Sequence, residues 1–223
     1  MRIIKTTVKA KLLNIPFTHI SLLDTLMIKF SSAVRYAFNR RKPDAYKPMI
    51  KGNLEKEIQL RYKLNSRYAK DAVNKAESII SSQKELVKQY YNDYQSKIKQ
   101  VENVLTKARS RQKIHGLKAK LEKYKRKAAK YEKHIKNNTI PEVIFGGKSN
   151  FLARCQGKIS NREWKKLRNN KFSSRGDKTK KGNLNTRVII DDEDNIYLNI
   201  NTSIKKSKRR YKYIKIPLYL PQK

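Results

Sequence analysis

The sequence predicts an α+β protein in which a long helical block interrupts a β domain. Three observations predict this class. Residues 2–13 alternate apolar and polar side chains, the middle of the chain carries apolar residues at intervals of three and four, and alternation resumes after Asn137. Each flanking β part is too small to make a stable sheet alone, so the two are expected to pair with one another.

In the first strand Ile4, Thr6, Val8, Ala10 and Leu12 share one face, and Lys5, Thr7, Lys9 and Lys11 the other. A first helix is predicted from Ser21 to about Arg41, through Leu22, Leu26, Phe30, Ala33, Val34, Ala37 and Phe38, with Pro43 and Pro48 marking its end. The stripe of Leu54, Ile58, Ala69, Ala72, Val73, Ala76 and Ile80 predicts a second helix from about Asn53 to Ile80. Val87, Tyr91, Tyr94, Ile98, Val101, Leu105 and Ala108 then follow the seam spacing of a coiled coil, and Leu117, Leu121, Tyr124, Ala128, Tyr131 and Ile135 form a second seam in a different phase. Two seams of similar length predict an antiparallel hairpin, interrupted near "RSRQKIHG" with Gly116 as the punctuation. Seam tyrosines are core residues first, and stack on bases only if exposed.

After the helices, Ser160 and Glu163 make a capping box for a short helix bearing Trp164 and Leu167. A basic, mobile loop "NKFSSRGDKTKKGN" is expected to follow it. "GNLNTRVIIDDEDNIYLNIN" reads as a hairpin, with Val188 and Ile190 on one face of the first strand and Ile196, Leu198 and Ile200 on one face of the second. Its turn holds Asp191, Asp192, Glu193 and Asp194, which read as solvated turn-formers rather than a metal site. In the last strand Ile214, Ile216, Leu218 and Leu220 alternate inward and Pro217 suggests an edge.

The 223 residues hold 55 Lys+Arg against 18 Asp+Glu, a net charge of +37, which implies a polyanionic partner. With 38% hydrophobic residues the chain can still bury a core. Thirteen tyrosines and six phenylalanines among the lysines suit phosphate pairing with base stacking, and equally suit ordinary cores. An anionic membrane is the rival partner, but no apolar run approaches the roughly 20 residues of a spanning helix and the N-terminus lacks a signal-peptide core. A soluble, cytoplasmic protein is expected. Cys155 is the only cysteine, and His19, His115 and His134 lack metal-ligand spacing.

The stretch "GGKS" at residues 146–149 looks like the end of a phosphate-binding loop. That loop needs a glycine five positions before Gly147, where this chain has Glu142, and "NFLARCQGK" shows no convincing helix to hold an anion. The glycines are expected to bend the chain instead. Ser66, Lys70 and Asn74 form a polar row in successive i, i+4 steps, either a solvated face or a surface close to a ligand.

With "FNRR" ending the first helix, "LNSRYAKDAVNKA" in the second and "FGGKSNFLAR" followed by Trp and Arg where strands resume, the chain resembles the N-terminal half of TnpB proteins. These are transposon-encoded RNA-guided DNA nucleases related to miniature type V CRISPR effectors. The resemblance spans essentially the whole chain, and the order of the three motifs carries it. It implies an OB-like β-barrel, the wedge domain, from residues 1–16 and 141–223, with a helical recognition lobe inserted at 17–140. It implies guide RNA and double-stranded target DNA as partners, with no membrane or small-molecule substrate. Ser66, Arg67, Lys70 and Asn74 would face the DNA motif beside the target. The nucleic-acid backbone would be held by Lys148, Arg154, Lys158, Lys165, Lys166, Arg168, Lys171, Arg175, Lys178, Lys180 and Lys181, and by Lys205, Lys206, Lys208, Arg209 and Arg210.

Family nucleases cut with a RuvC-type domain whose carboxylates bind two metal ions. That domain would begin beyond Lys223, so no catalytic residue and no metal or other cofactor is expected within this chain. A nuclease-less RNA-guided DNA-binding protein, of repressor type, is the first alternative. A basic structural RNA-binding protein of ribosomal type is the second.

Overall fold

The computed structural model describes residues 9–177, 179, 182–207 and 210–220. The order of elements is β1 (Lys11–Leu12), α1 (Phe17–Arg41), α2 (Lys51–Tyr62), α3 (Ser66–Lys107), α4 (Arg111–Lys136), α5 (Lys148–Cys155), α6 (Asn161–Asn169), β2 (Thr186–Ile190), β3 (Ile196–Lys205) and β4 (Tyr211–Tyr219). The chain is α+β and divides into two compact units. One comprises Met1–Ala37, Ile50–Val73 and Phe145–Lys223, and the other Phe38–Met49 and Asn74–Ile144. No helix among the described residues is long and apolar enough to cross a membrane.

In the first unit the strands form one antiparallel sheet in the order β1-β4-β3-β2. The expected hairpin is present, and its register sets Ile190 opposite Ile196, Val188 opposite Leu198 and Thr186 opposite Ile200. The closed OB-like barrel is not: among the described residues the sheet is open, with β1 and β2 as its edges. Closure needs long, tilted edge strands that meet, and β1 contributes only two residues to the ladder. Of the expected strand over residues 2–13, residues 2–8 lie outside the described residues, and Lys9 and Ala10 are described but are not strand.

Pro217 was expected to mark an edge, but β4 runs between β1 and β3. Its carbonyl accepts from Leu13 N–H at 3.0 Å, so its missing N–H faces the two-residue β1 rather than β3. The ladder loses a donor on the side where few bonds could form.

The core of this unit is built from helical stripes and one sheet face. Leu26, Phe30, Ala33, Val34 and Ala37 on α1, Leu54 and Ile58 on α2, and Ile200, Ile214 and Ile216 on the sheet are all buried. The expected helix 53–80 is broken in two, because Lys63 ends α2 in the left-handed conformation (φ 50°). Asn65 then starts α3, its Oδ1 accepting from Tyr68 N–H at 2.9 Å, the geometry of a side-chain N-cap. Tyr68 is fully buried and attaches α3 to the sheet. Its hydroxyl lies 3.0 Å from the carbonyls of Asn185 and Asn201 and 3.2 Å from Thr186 Oγ1.

In the second unit, α3 from Asn74 onward and α4 make the antiparallel hairpin. Ile98, Val101, Leu121 and Ala128 are buried at its centre, with Tyr94, Leu117 and Tyr124 packed against them. Tyr94 stacks on Tyr131 at 5.9 Å and 12°, and Tyr90 lies 5.4 Å from Tyr131. The turn comes earlier than expected, at residues 108–110, and Gly116 sits inside α4 with open space around it.

Candidate nucleic-acid interface

The start of α3 opens onto a groove of about 340 Å³ in the first unit, lined by Glu55, Gln59, Ser66, Arg67, Lys70, Asp177, Gly182, Leu184 and Asn185. Three of the four residues that the resemblance places beside the DNA motif meet here, but they differ in what they are free to do. Ser66 and Lys70 are exposed. Arg67 is held: its guanidinium lies 4.0 Å from Asp71 and 3.8 Å from Asp177, and its Nη2 donates to the carbonyl of Arg175 at 2.7 Å. Asp71, only 4% exposed, also accepts from Ser174 Oγ at 2.9 Å and Arg175 N–H at 3.2 Å, which satisfies a buried carboxylate. Asn74, one turn beyond Lys70, belongs to the other unit, where its carbonyl accepts from Ser78 Oγ. Glu55 and Asp177 balance the charges of Arg67 and Lys70, so the groove is polar without a net excess of cations.

The segment expected to be a mobile basic loop is strapped down over residues 171–177. Ser31 Oγ donates to the Lys171 carbonyl at 2.9 Å, and the Phe172 ring stands edge-on to both Phe30 (5.0 Å) and Tyr68 (4.9 Å). Asp71 then takes the bonds from Ser174 and Arg175. This leaves the Lys171 and Arg175 side chains exposed on a fixed backbone. Lys178, Lys180 and Lys181 lie outside the described residues.

At the "GGKS" stretch a helix does follow the glycines: α5 begins at Lys148, with Gly147 at its N-cap. The expectation of no helix there fails because eight residues are too few to show a period. The bend is real. Gly146 and Gly147 have φ of 98° and 96°, and a Cβ on Gly146 would stand 2.7 Å from Arg168 Cγ and 3.0 Å from the Trp164 ring. The junction is tight because α6 lies against it, with Phe151 of α5 packed on Trp164 at 5.7 Å. Lys148, Arg154, Lys158, Lys165 and Lys166 are exposed, whereas Arg168 is half-buried with its guanidinium 5.8 Å from the Trp164 ring. The capping box that starts α6 is present as expected, from Ser160 and Glu163.

The β3–β4 turn is closed by Lys206 N–H to the Arg210 carbonyl at 2.8 Å, leaving Lys205, Lys206 and Arg210 exposed. Lys208 and Arg209 lie outside the described residues. Lys205 shares a cavity with Lys29 and Lys63, which sequence reasoning did not connect with it. Neither lysine belongs to a basic run, so no local signal marks them. Gln59 lines this cavity and the α3 groove alike.

In the second unit, α4 holds eleven lysines and arginines against two glutamates. Lys97 and Lys127 sit over the Tyr94 ring at 5.2 and 5.3 Å, and Lys120 over Tyr124 at 5.8 Å. Tyr94 and Tyr124 therefore pack on the hairpin core while lysine heads cover their rings. Burial, then the neighbouring Tyr94 and Tyr90, raise the Tyr131 hydroxyl above its ordinary range. Among the described residues no cluster of His, Cys, Asp and Glu could hold a metal ion.

Fold and surface together define a strongly basic α+β protein whose cations far outnumber its carboxylates. The chain belongs to the SSO2105 N-terminal domain family, which matches residues 5–223. No curated protein and no solved structure matches it.

Proposed function

We propose that this chain binds nucleic acid, and that it is the guide-RNA-binding and target-DNA-recognition portion of a TnpB-like RNA-guided DNA endonuclease. One observation carries the reading. Cations from segments distant in sequence, the exposed Lys70, Lys63 and Lys205 and the half-buried Lys29, line two cavities of one unit that share Gln59. The 18 carboxylates of the chain cannot neutralise 55 basic groups, so polyanion phosphates are the natural counterions.

The roles divide by chemistry. The α3 groove, where Ser66 and Lys70 stand opposite Glu55, offers hydroxyl, ammonium and carboxylate groups suited to base edges of the target-adjacent DNA. Lys148, Arg154, Lys158, Lys165, Lys166, Lys206 and Arg210 are exposed cations suited to RNA phosphates. Wedge-like holding of RNA would fall to the sheet with α5 and α6.

Sequencing the RNA that co-purifies from the native host tests the guided reading. A discrete RNA that overlaps a transposon end is expected, and RNA of random sequence would overturn it. On defined duplexes, Lys70→Ala should change the order of preference among DNA sequences. Equal weakening on all of them would remove Lys70 from base reading and leave it a phosphate contact.

A further inference from the structure

We propose that the cavity bounded by α1, α2 and the β3–β4 hairpin is a binding site for a single phosphate-bearing nucleotide, with Lys29, Lys63 and Lys205 as its phosphate-facing cations and Tyr211 beside the base. Its assignment to an unstacked nucleotide of bound RNA rests on the nucleic-acid reading above. The cavity has a volume of about 520 Å³ and lies entirely within the first unit. That is the size of an ordinary small-ligand site.

Its lining is chemically one-sided. Three lysines contribute and no carboxylate does, in contrast to the neighbouring groove with Glu55 and Asp177. Ammonium groups gathered without a carboxylate repel one another, and a multiply charged anion removes that cost. The rest of the lining is suited to a flat ring: the half-buried Tyr211, and Leu60, which is 81% exposed although it sits on a helix with buried neighbours. Gln59 offers both a donor and an acceptor to a base edge.

The wall of the cavity also carries two uncommon backbone conformations. Lys63 (φ 50°) and Ser203 (φ 60°) are both non-glycine residues in the left-handed region, and both line it. The β3–β4 register shifts between Asn201 and Lys205. A shift of this kind re-aims the side chains that follow it, here Ile204 and Lys205. The distortion is held in place from outside the cavity. Asn65 N–H donates to Ser203 Oγ at 3.1 Å, Ser203 N–H to Asn201 Oδ1 at 2.8 Å, and Thr202 Oγ1 to the Lys212 carbonyl at 2.8 Å. Two left-handed residues and a register shift, held by hydrogen bonds from the surroundings, fix the shape of the cavity wall before any ligand arrives.

The test titrates the whole chain with AMP and UMP and, separately, with an RNA oligonucleotide, comparing it with the Lys63→Asn/Lys205→Ala variant. Asparagine tolerates the left-handed backbone at 63, so the cation is lost without the fold. Lys56→Ala removes a lysine of α2 outside the cavity and serves as the control. One mononucleotide per chain is expected, weakened at least about tenfold in the double variant and unchanged in the control. If RNA affinity falls with it, the nucleotide belongs to RNA; if RNA affinity is unaffected, the site serves a free nucleotide. Failure of both mononucleotides to bind, or binding that the double variant leaves intact, overturns the proposal, whatever the chain does with RNA. Absence of RNA binding in the unaltered chain would instead overturn the nucleic-acid reading.

Discussion

Replacing Tyr68 by phenylalanine tests how the helices are fastened to the sheet. The substitution keeps the ring, and with it the edge-on contact to Phe172 at 4.9 Å, and removes only the hydroxyl. That hydroxyl lies 3.0 Å from the Asn185 and Asn201 carbonyls, in a residue with no exposed surface. A lost internal hydrogen bond costs about 1 kcal/mol, and a buried acceptor left unsatisfied about 1–3 kcal/mol. The Asn185 carbonyl keeps a second donor, Asn201 N–H at 2.8 Å, so the expected loss is about 1–2 kcal/mol. Urea unfolding at pH 8, followed by the fluorescence of Trp164, the only tryptophan and part of the same unit, measures it. With an m-value of about 2 kcal/mol/M the midpoint should fall by roughly 0.5–1 M.

The same pair of proteins reports the environment of the hydroxyl. Burial is the largest influence on it and pushes its pKa well above the ordinary tyrosine value, an effect the Thr186 hydrogen bond only partly opposes. A pKa raised in the folded state means that the unfolded chain ionises first, at about pH 10. Stability is therefore complete below that pH and falls as pH rises toward the folded value. The phenylalanine variant has no such group, so the gap between the two proteins should narrow above about pH 10. Equal stability at pH 8 would show that the hydroxyl makes no buried bond, and a gap that stays constant through pH 11 would show that it is not desolvated.

Two glycine substitutions should move stability in opposite directions. Gly146→Ala places a methyl 2.7 Å from Arg168 Cγ at φ 98° and should cost about 2–4 kcal/mol, whereas Gly116→Ala, in open space inside α4, should gain up to about 1 kcal/mol. Thermal melts of each variant suffice, and a neutral Gly146→Ala would refute the tight junction. Ser160→Ala should cost about 1 kcal/mol by removing the N-cap of α6. Hydrogen bonding from Ser160, its backbone N–H first, lowers the pKa of Glu163, so the capping contribution is present above the unfolded value of about 4.3 and is lost as pH falls through the folded one. Glu163→Gln should flatten that acid limb of the unfolding curve, and an unchanged limb would exclude the box as its source. Affinity for RNA should fall with salt at a log–log slope of about −0.7 to −0.9 per phosphate neutralised. Lys165→Ala/Lys166→Ala should flatten the slope, and an unchanged slope would place α6 away from the backbone.

What could be read from the sequence was whatever repeats or caps locally. The apolar stripe of α1, the two seams of the helical hairpin, the Ser160–Glu163 box and the β-hairpin around residues 191–194 each follow from spacing alone. The break at Lys63 was missed because the stripe on either side, Leu54 and Ile58 before and Ala69 onward after, can be laid on one continuous helix. Only Asn65, a capping residue in mid-pattern, pointed to a new start. The open sheet was missed because the closure was inferred from a resemblance, and the pairing capacity of β1 is not written in its alternation. The cavity of Lys29, Lys63 and Lys205 joins three elements far apart in sequence and has no local signature at all.

The basic residues themselves divide along a line that composition hides. Arg35 donates to the Arg168 carbonyl at 3.1 Å, to Asn169 Oδ1 at 2.8 Å and to Ser32 Oγ at 2.9 Å, so its guanidinium ties the end of α6 to α1. Burial lowers its pKa, and the nearby Arg168 charge lowers it further. Arg67 fastens the 171–177 strap, and Arg168 covers Trp164. A planar fork with five donors can satisfy several acceptors at once and carries less hydration to shed, which is why these half-buried posts are arginines. Lysine is a compact, strongly hydrated charge on a flexible stem, and Lys70, Lys148, Lys165, Lys166 and Lys205 accordingly keep their heads at the surface. Net charge thus overstates the binding surface, because part of the +37 is framework. The charge left at the surface is mostly lysine, which on the proposed reading would suit contacts made through phosphate without regard to sequence. On the proposed reading, base recognition would fall to places such as the α3 groove, where a lysine stands beside hydroxyl, amide and carboxylate groups.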